Sequence, residues 1–112
     1  KTYLIQGSAG FMGSELTGRK ADVVFLGAGG LGATSPSYQS RYWNAIVKSV
    51  GAKRVVPIHW DNFFLPLDVA LVPSPGFDKT MDALISMGKS DNVEIRLPVE
   101  WKWTDPAAGL AR

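Results

Sequence analysis

The sequence predicts an α/β fold on three observations: short apolar runs suited to strands, two Ser-Pro helix starts each followed by an apolar stripe, and glycines at element ends. Helical stretches between successive strands are the pattern of a mostly parallel sheet with right-handed crossovers. The 112 residues amount to one domain or a piece of a larger one. Residues 1–112 read as a single domain fragment, because the chain opens at Lys1 directly in a strand-like segment. That opening predicts truncation and says nothing of a signal peptide.

The elements follow in order. Thr2–Gln6 reads as a strand, stopped by Gly7-Ser8-Ala9-Gly10. The small-residue stretch Gly10–Gly18 has room for one weak helical turn. Val23–Leu26 is continuously apolar between Asp22 and Gly27, as a strand buried on both faces is. A glycine-rich loop covers Gly27–Thr34, and Ser35-Pro36 then supplies an N-cap and a first-turn proline. Tyr42, Trp43, Ile46, Val47 and Val50 form that helix's apolar stripe, with Gly51 as its stop. Arg54–Ile58 is the third strand, and Pro57, which cannot donate to a ladder, belongs near its end or on an edge. His59–Phe64 opens a long aromatic loop. Ser74-Pro75 starts a second helix, with Phe77, Met81, Leu84 and Ile85 on one face and Gly88 as its end. Val93–Leu97 alternates apolar and polar as a half-exposed strand does. The tail beyond Trp103 has no strong pattern.

Composition narrows the function classes. Hydrophobic content of 46% with 20% charge excludes wholesale disorder. No apolar run reaches the roughly 18–20 residues a membrane-spanning helix needs, so no membrane partner is expected. The net charge is +2 and the isoelectric point about 9.1. The basic residues are nonetheless scattered, with adjacent pairs only at Arg19-Lys20 and Lys53-Arg54. Nucleic-acid proteins gather such charge into a stripe, so no nucleic-acid partner is expected. Zero cysteines exclude disulfides, Cys-ligated zinc and a thiol nucleophile, and leave the compartment open.

In parallel sheets, sites form at the carboxyl ends of strands. Those ends carry Gly7-Ser8, Gly27-Ala28-Gly29 and His59-Trp60-Asp61, which meet on one rim if the strands run parallel. One reading of that rim uses Gly27-Ala28-Gly29-Gly30-Leu31-Gly32, a match to the dinucleotide fingerprint after a strand. It also looks like the nucleotide loop of ubiquitin-activating-type adenylating enzymes. Gly27, Gly29 and Gly32 would then cradle phosphate at a helix N-terminus. Yet the helix start at Ser35-Pro36 lies beyond Gly32, and Asp61 stands too far on for the ribose carboxylate. The plainer reading gives these glycines a tight loop passing close to a neighbouring strand.

A second reading uses more of the chain. Leu4–Phe11 (LIQGSAGF), Ala21–Gly27 (ADVVFLG) and Val55–Asp61 (VVPIHWD) together resemble the C-terminal half of the metallo-β-lactamase-fold hydrolases, over roughly residues 3 to 97. In that superfamily a strand ending in Gly-Asp-x-Gly-Phe delivers a metal-bridging aspartate, and a later Pro-x-His delivers the last metal-binding histidine. The general metal-dependent hydrolases and lactonase-like members look most similar. The resemblance implies the C-terminal half of a four-layer αββα sandwich. It also implies a parent that hydrolyses an ester, lactone or phosphoester of a small-molecule substrate by metal-bound hydroxide.

Carried over by residue, His59 matches the final metal histidine, and its imidazole suits zinc, manganese or iron. A strand-end histidine that merely hydrogen-bonds is the structural alternative. Ser8 stands where the bridging aspartate belongs, and a neutral hydroxyl is a poor bridge between two cations. The parent is then mononuclear, or draws a carboxylate from elsewhere, with Asp61 as candidate, or is inactive. Asp61 otherwise reads as a solvated turn residue. Trp60, Phe63 and Phe64 suit either a pocket wall or the core. The family's His-x-His-x-Asp-His ligand cluster has no counterpart in a chain with one histidine. A catalytic zinc keeps about three protein ligands, so the chain alone is expected to be inactive. Its expected partners are the N-terminal half of the same domain and, failing that, further copies of itself. A catalytically dead interaction domain that keeps the fold is the alternative of a different class.

Overall fold

The computed structural model describes residues 1–98 and 102–111 and is mixed α/β. Its four-stranded sheet comprises β1 (Tyr3–Gln6), β2 (Val23–Gly27), β3 (Arg54–Ile58) and β4 (Glu94–Ile95), hydrogen-bonded in that order and all parallel. The register sets Leu4 beside Val24 and Val55, and Ile5 beside Phe25 and Val56. Because successive side chains alternate, β1 to β3 put Leu4, Val24, Leu26, Val55 and Pro57 on one face. Tyr3, Ile5, Val23, Phe25, Arg54, Val56 and Ile58 lie on the other.

Both helices cover the first face. Helix α1 (Pro36–Trp43) begins as the sequence predicts, with Ser35 Oγ accepting from the Tyr38 amide and Pro36 in the first turn. It continues as a wider π-helical stretch, Asn44–Lys48. The buried stripe Tyr42, Trp43, Ile46, Val47 and Val50 advances in steps of four. Such a stripe drifts off one face of a 3.6-residue helix, and the wider turn keeps it over the sheet. Leu84 of α2 (Phe77–Asp91) joins Trp43, Leu26 and Val55 in the same core. Trp43 Nε1 donates to Asp91 at 2.7 Å, tying the two helices together.

Three boundaries differ from expectation. Ser74 does not cap α2; its amide donates to the Trp60 carbonyl, and the left-handed Gly76 precedes the first helical residue. Gly88 does not end the helix. It lies inside it, where a Cβ would sit 2.6 Å from the Val93 carbonyl oxygen, and the left-handed Asn92 closes the helix instead. The strand expected over Val93–Leu97 is reduced to Glu94–Ile95. Pro57 explains this. Arg96 donates to the Val55 carbonyl, and the next bond of a parallel ladder would need an N–H from residue 57, which proline lacks.

The described residues cover the second face only in part. Ala107 packs on Val23 and Val56, with Leu110 beside it. Arg54, 1% exposed, holds this C-terminal segment by donating to the Pro106 and Ala108 carbonyls, both at 2.7 Å, while pairing with Glu94. Toward the strand ends, Phe25, Val56, Ile58 and Leu97 line an open groove of about 430 Å³, and Ile5 is 71% exposed.

Candidate functional site

The parallel strands bring their carboxyl ends onto one rim, as the sequence predicts for Ser8, Gly27–Gly29 and His59. Ala28 N donates to the Ile58 carbonyl at 2.9 Å, joining the β2 and β3 exits. A Cβ on Gly27 would lie 2.7 Å from the Ser8 backbone, and one on Gly29 would lie 3.1 Å from the His59 carbonyl oxygen. The three chain segments are therefore packed backbone to backbone, which only glycine permits at residue 27.

His59 is the first residue past β3, exposed, with φ 57°. A non-glycine residue in the left-handed region costs about 1–3 kcal/mol and is held there by its surroundings. This turn aims the chain into the aromatic loop while leaving the imidazole at the rim. Phe63 meets the imidazole edge-on, with ring centroids 6.2 Å apart. The loop closes on itself through Asn62 N to the Val72 carbonyl and Ser74 N to the Trp60 carbonyl, and Asp61 bridges Pro73. Trp60 packs against Phe77 at 5.7 Å, so it anchors α2. Phe63 and Phe64 stay 63% and 85% exposed and are not core.

Ser8 is exposed, and its Oγ accepts from the Gly10 amide. Its loop is held through its carbonyls. Gln6 Nε2 donates to Ser8 O and Gly10 O and Tyr38 Oη to Ala9 O, while Tyr42 Oη shares its single proton between Gly27 O at 2.7 Å and Ser8 O at 3.0 Å. Burial pushes the Tyr42 phenol far up, so it remains a neutral donor. Sequence reasoning missed these three residues. Tyr42 sits on the apolar stripe, where its hydroxyl is invisible to periodicity, and Tyr38 one turn earlier was the available signal.

The glycine loop is occupied with internal bonds. Gly32 N donates to Thr80 Oγ1, while Leu31 N and Ala33 N bond within the loop, which includes a short 3₁₀ turn. A Cβ on Gly32 would lie 2.5 Å from the Thr80 amide nitrogen, so this glycine lets the loop approach α2. The Leu31, Gly32 and Ala33 amides thus have protein acceptors, whereas the Gly29 and Gly30 amides make no hydrogen bond to the described residues.

No protein-family profile, curated protein or solved structure matches the chain. The rim's donors are judged by their own chemistry. Among the described residues, no group of three or more His, Cys, Asp or Glu side chains is placed to hold a metal ion. One imidazole, a hydroxyl and the half-buried Asp61 do not make a complete metal site.

Proposed function

We propose that this chain is one half of a metal-dependent hydrolase domain, acting on an ester, lactone or phosphoester of a small molecule. The observation that carries the reading is the placement of Ser8 and a left-handed, exposed His59 past the carboxyl ends of β1 and β3, on either side of β2 along one rim of a parallel sheet. His59 would supply one imidazole ligand, with zinc the first choice of metal, and the remaining ligands would come from a partner half. The four-layer sandwich belongs to the same proposal. One sheet face carries helices and the other exposes Ile5 and an apolar groove, as a face built to meet a second sheet would.

Metal content measured by plasma mass spectrometry tests the reading. The 112-residue chain should bind zinc more weakly than about micromolar. A longer natural product carrying the partner half should lose bound metal in His59→Ala. Unchanged content in that variant would sink the metal reading and favour a fold-only interaction domain, for which the exposed Phe63 and Phe64 speak. Adding ATP or NAD should give no saturable binding by the Gly27, Gly29 and Gly32 loop, since the Leu31, Gly32 and Ala33 amides are engaged internally and helix α1 starts only at Pro36, beyond the glycines.

A further inference from the structure

We infer that Tyr42, seconded by Tyr38 and Gln6, is a positioning residue that fixes the Ser8 turn on the rim that also carries His59. The inference rests on the reading of that rim as a site. Three successive carbonyls, Ser8, Ala9 and Gly10, each accept from a side chain rather than from a strand. A loop following a strand normally leaves such carbonyls to water. Here the sheet-side donors come from one helix: Tyr38 and Tyr42 are four residues apart on α1, hence on one face.

Tyr42 joins two strand exits with one oxygen. Its Oη lies 3.0 Å from Ser8 O and 2.7 Å from Gly27 O, inside a residue that is 0% exposed. Packing alone would be met by phenylalanine, and a buried hydroxyl is costly unless bonded. Phe11, just past the loop, packs on both tyrosine rings with centroids 5.5 and 5.7 Å away. The Ser8 turn is thus fixed from three sides before any ligand arrives, which is the condition for a preorganised site.

The experiment uses Tyr42→Phe and, as a milder variant, Tyr38→Phe, each removing one oxygen. Backbone nitrogen-15 order parameters are read by NMR at Ser8 to Phe11 and at the central strands. They should fall from about 0.85 toward about 0.6 at the loop in Tyr42→Phe, and less in Tyr38→Phe, while Val24 and Val55 change little. A uniform fall across the sheet, or no fall at the loop in either variant, overturns the positioning role. The second readout places a nitroxide label in this cysteine-free chain at Ser8→Cys and reads its mobility by electron paramagnetic resonance. The label should be ordered with Tyr42 intact and clearly more mobile in the additional Tyr42→Phe variant. Equal mobility with and without the Tyr42 hydroxyl also overturns the positioning role, while the metal content of His59→Ala tests the reading of the rim separately.

Discussion

His59 carries a conformational cost that a glycine at the same position would not. With φ at 57°, replacement by glycine removes the Cβ clash of the left-handed region, although the more flexible unfolded chain offsets part of that gain. His59→Gly should therefore leave stability unchanged or raise it by up to about 1 kcal/mol, as measured by urea unfolding. A loss above about 2 kcal/mol would show that the imidazole itself holds the fold together. Ser8, Gly27 and His59 were legible in the sequence because strand ends can be read from apolar runs. The Tyr42 hydroxyl was not, since a tyrosine at helical spacing looks the same whether its oxygen points to solvent or to a neighbouring carbonyl.

At the scale of elements, glycines decide how closely the parts approach. Gly27 and Gly32 face backbone atoms at 2.5–2.8 Å from where a Cβ would stand, whereas Gly13 has nothing within 4 Å and no positive φ. Gly27→Ala and Gly32→Ala should each cost about 1–3 kcal/mol, and Gly13→Ala should stay within about 0.5 kcal/mol. Chemical denaturation of the three variants compares them directly. Equal effects would mean that the loop relaxes freely away from Ser8 and from α2. The sequence placed both helices through their Ser-Pro dipeptides, and α1 obeyed. The α2 start slipped to Phe77 because Gly76 is left-handed, with φ 80°, and closes a turn in which Phe77 N donates to Ser74 O, so a helix from Pro75 cannot run through it. The shortening of β4 follows from Pro57, but only once its ladder partner is known.

Across the whole molecule, the second sheet face depends on one ionic cluster. Partial burial pushes the Glu94 carboxyl up, but hydrogen bonds and charge from Arg54 and Arg96 outweigh it and leave Glu94 below its ordinary value of 4.5. A carboxyl lowered in the folded state adds stability above its unfolded pKa, and that contribution is lost as pH falls through the folded value. The protein should therefore lose stability on acidification below about pH 4.5. Glu94→Gln should flatten that fall and lower stability at neutral pH. Asp22, lowered chiefly by the hydrogen bond from the Thr2 amide, keeps part of the acid slope in the variant. Thermal melts at pH 3 to 7 measure both curves, and an unchanged slope in Glu94→Gln would remove this cluster from the account.

The strictly sequential, all-parallel strand order also governs how the chain reaches this state. Each ladder can form only after a whole crossover has closed, residues 7–22 for the first, 28–53 for the second and 59–93 for the third. Closing the longest costs about 0.7 kcal/mol more than closing the shortest, and the reward at that end is a two-residue strand. The third crossover should thus be added after the rate-limiting barrier, on a millisecond-to-second refolding timescale. In stopped-flow experiments Val24→Ala should slow folding, and Ile95→Ala should act almost wholly by speeding unfolding. A short last strand, stopped by a missing proline N–H, thereby becomes the seam from which the native molecule begins to come apart.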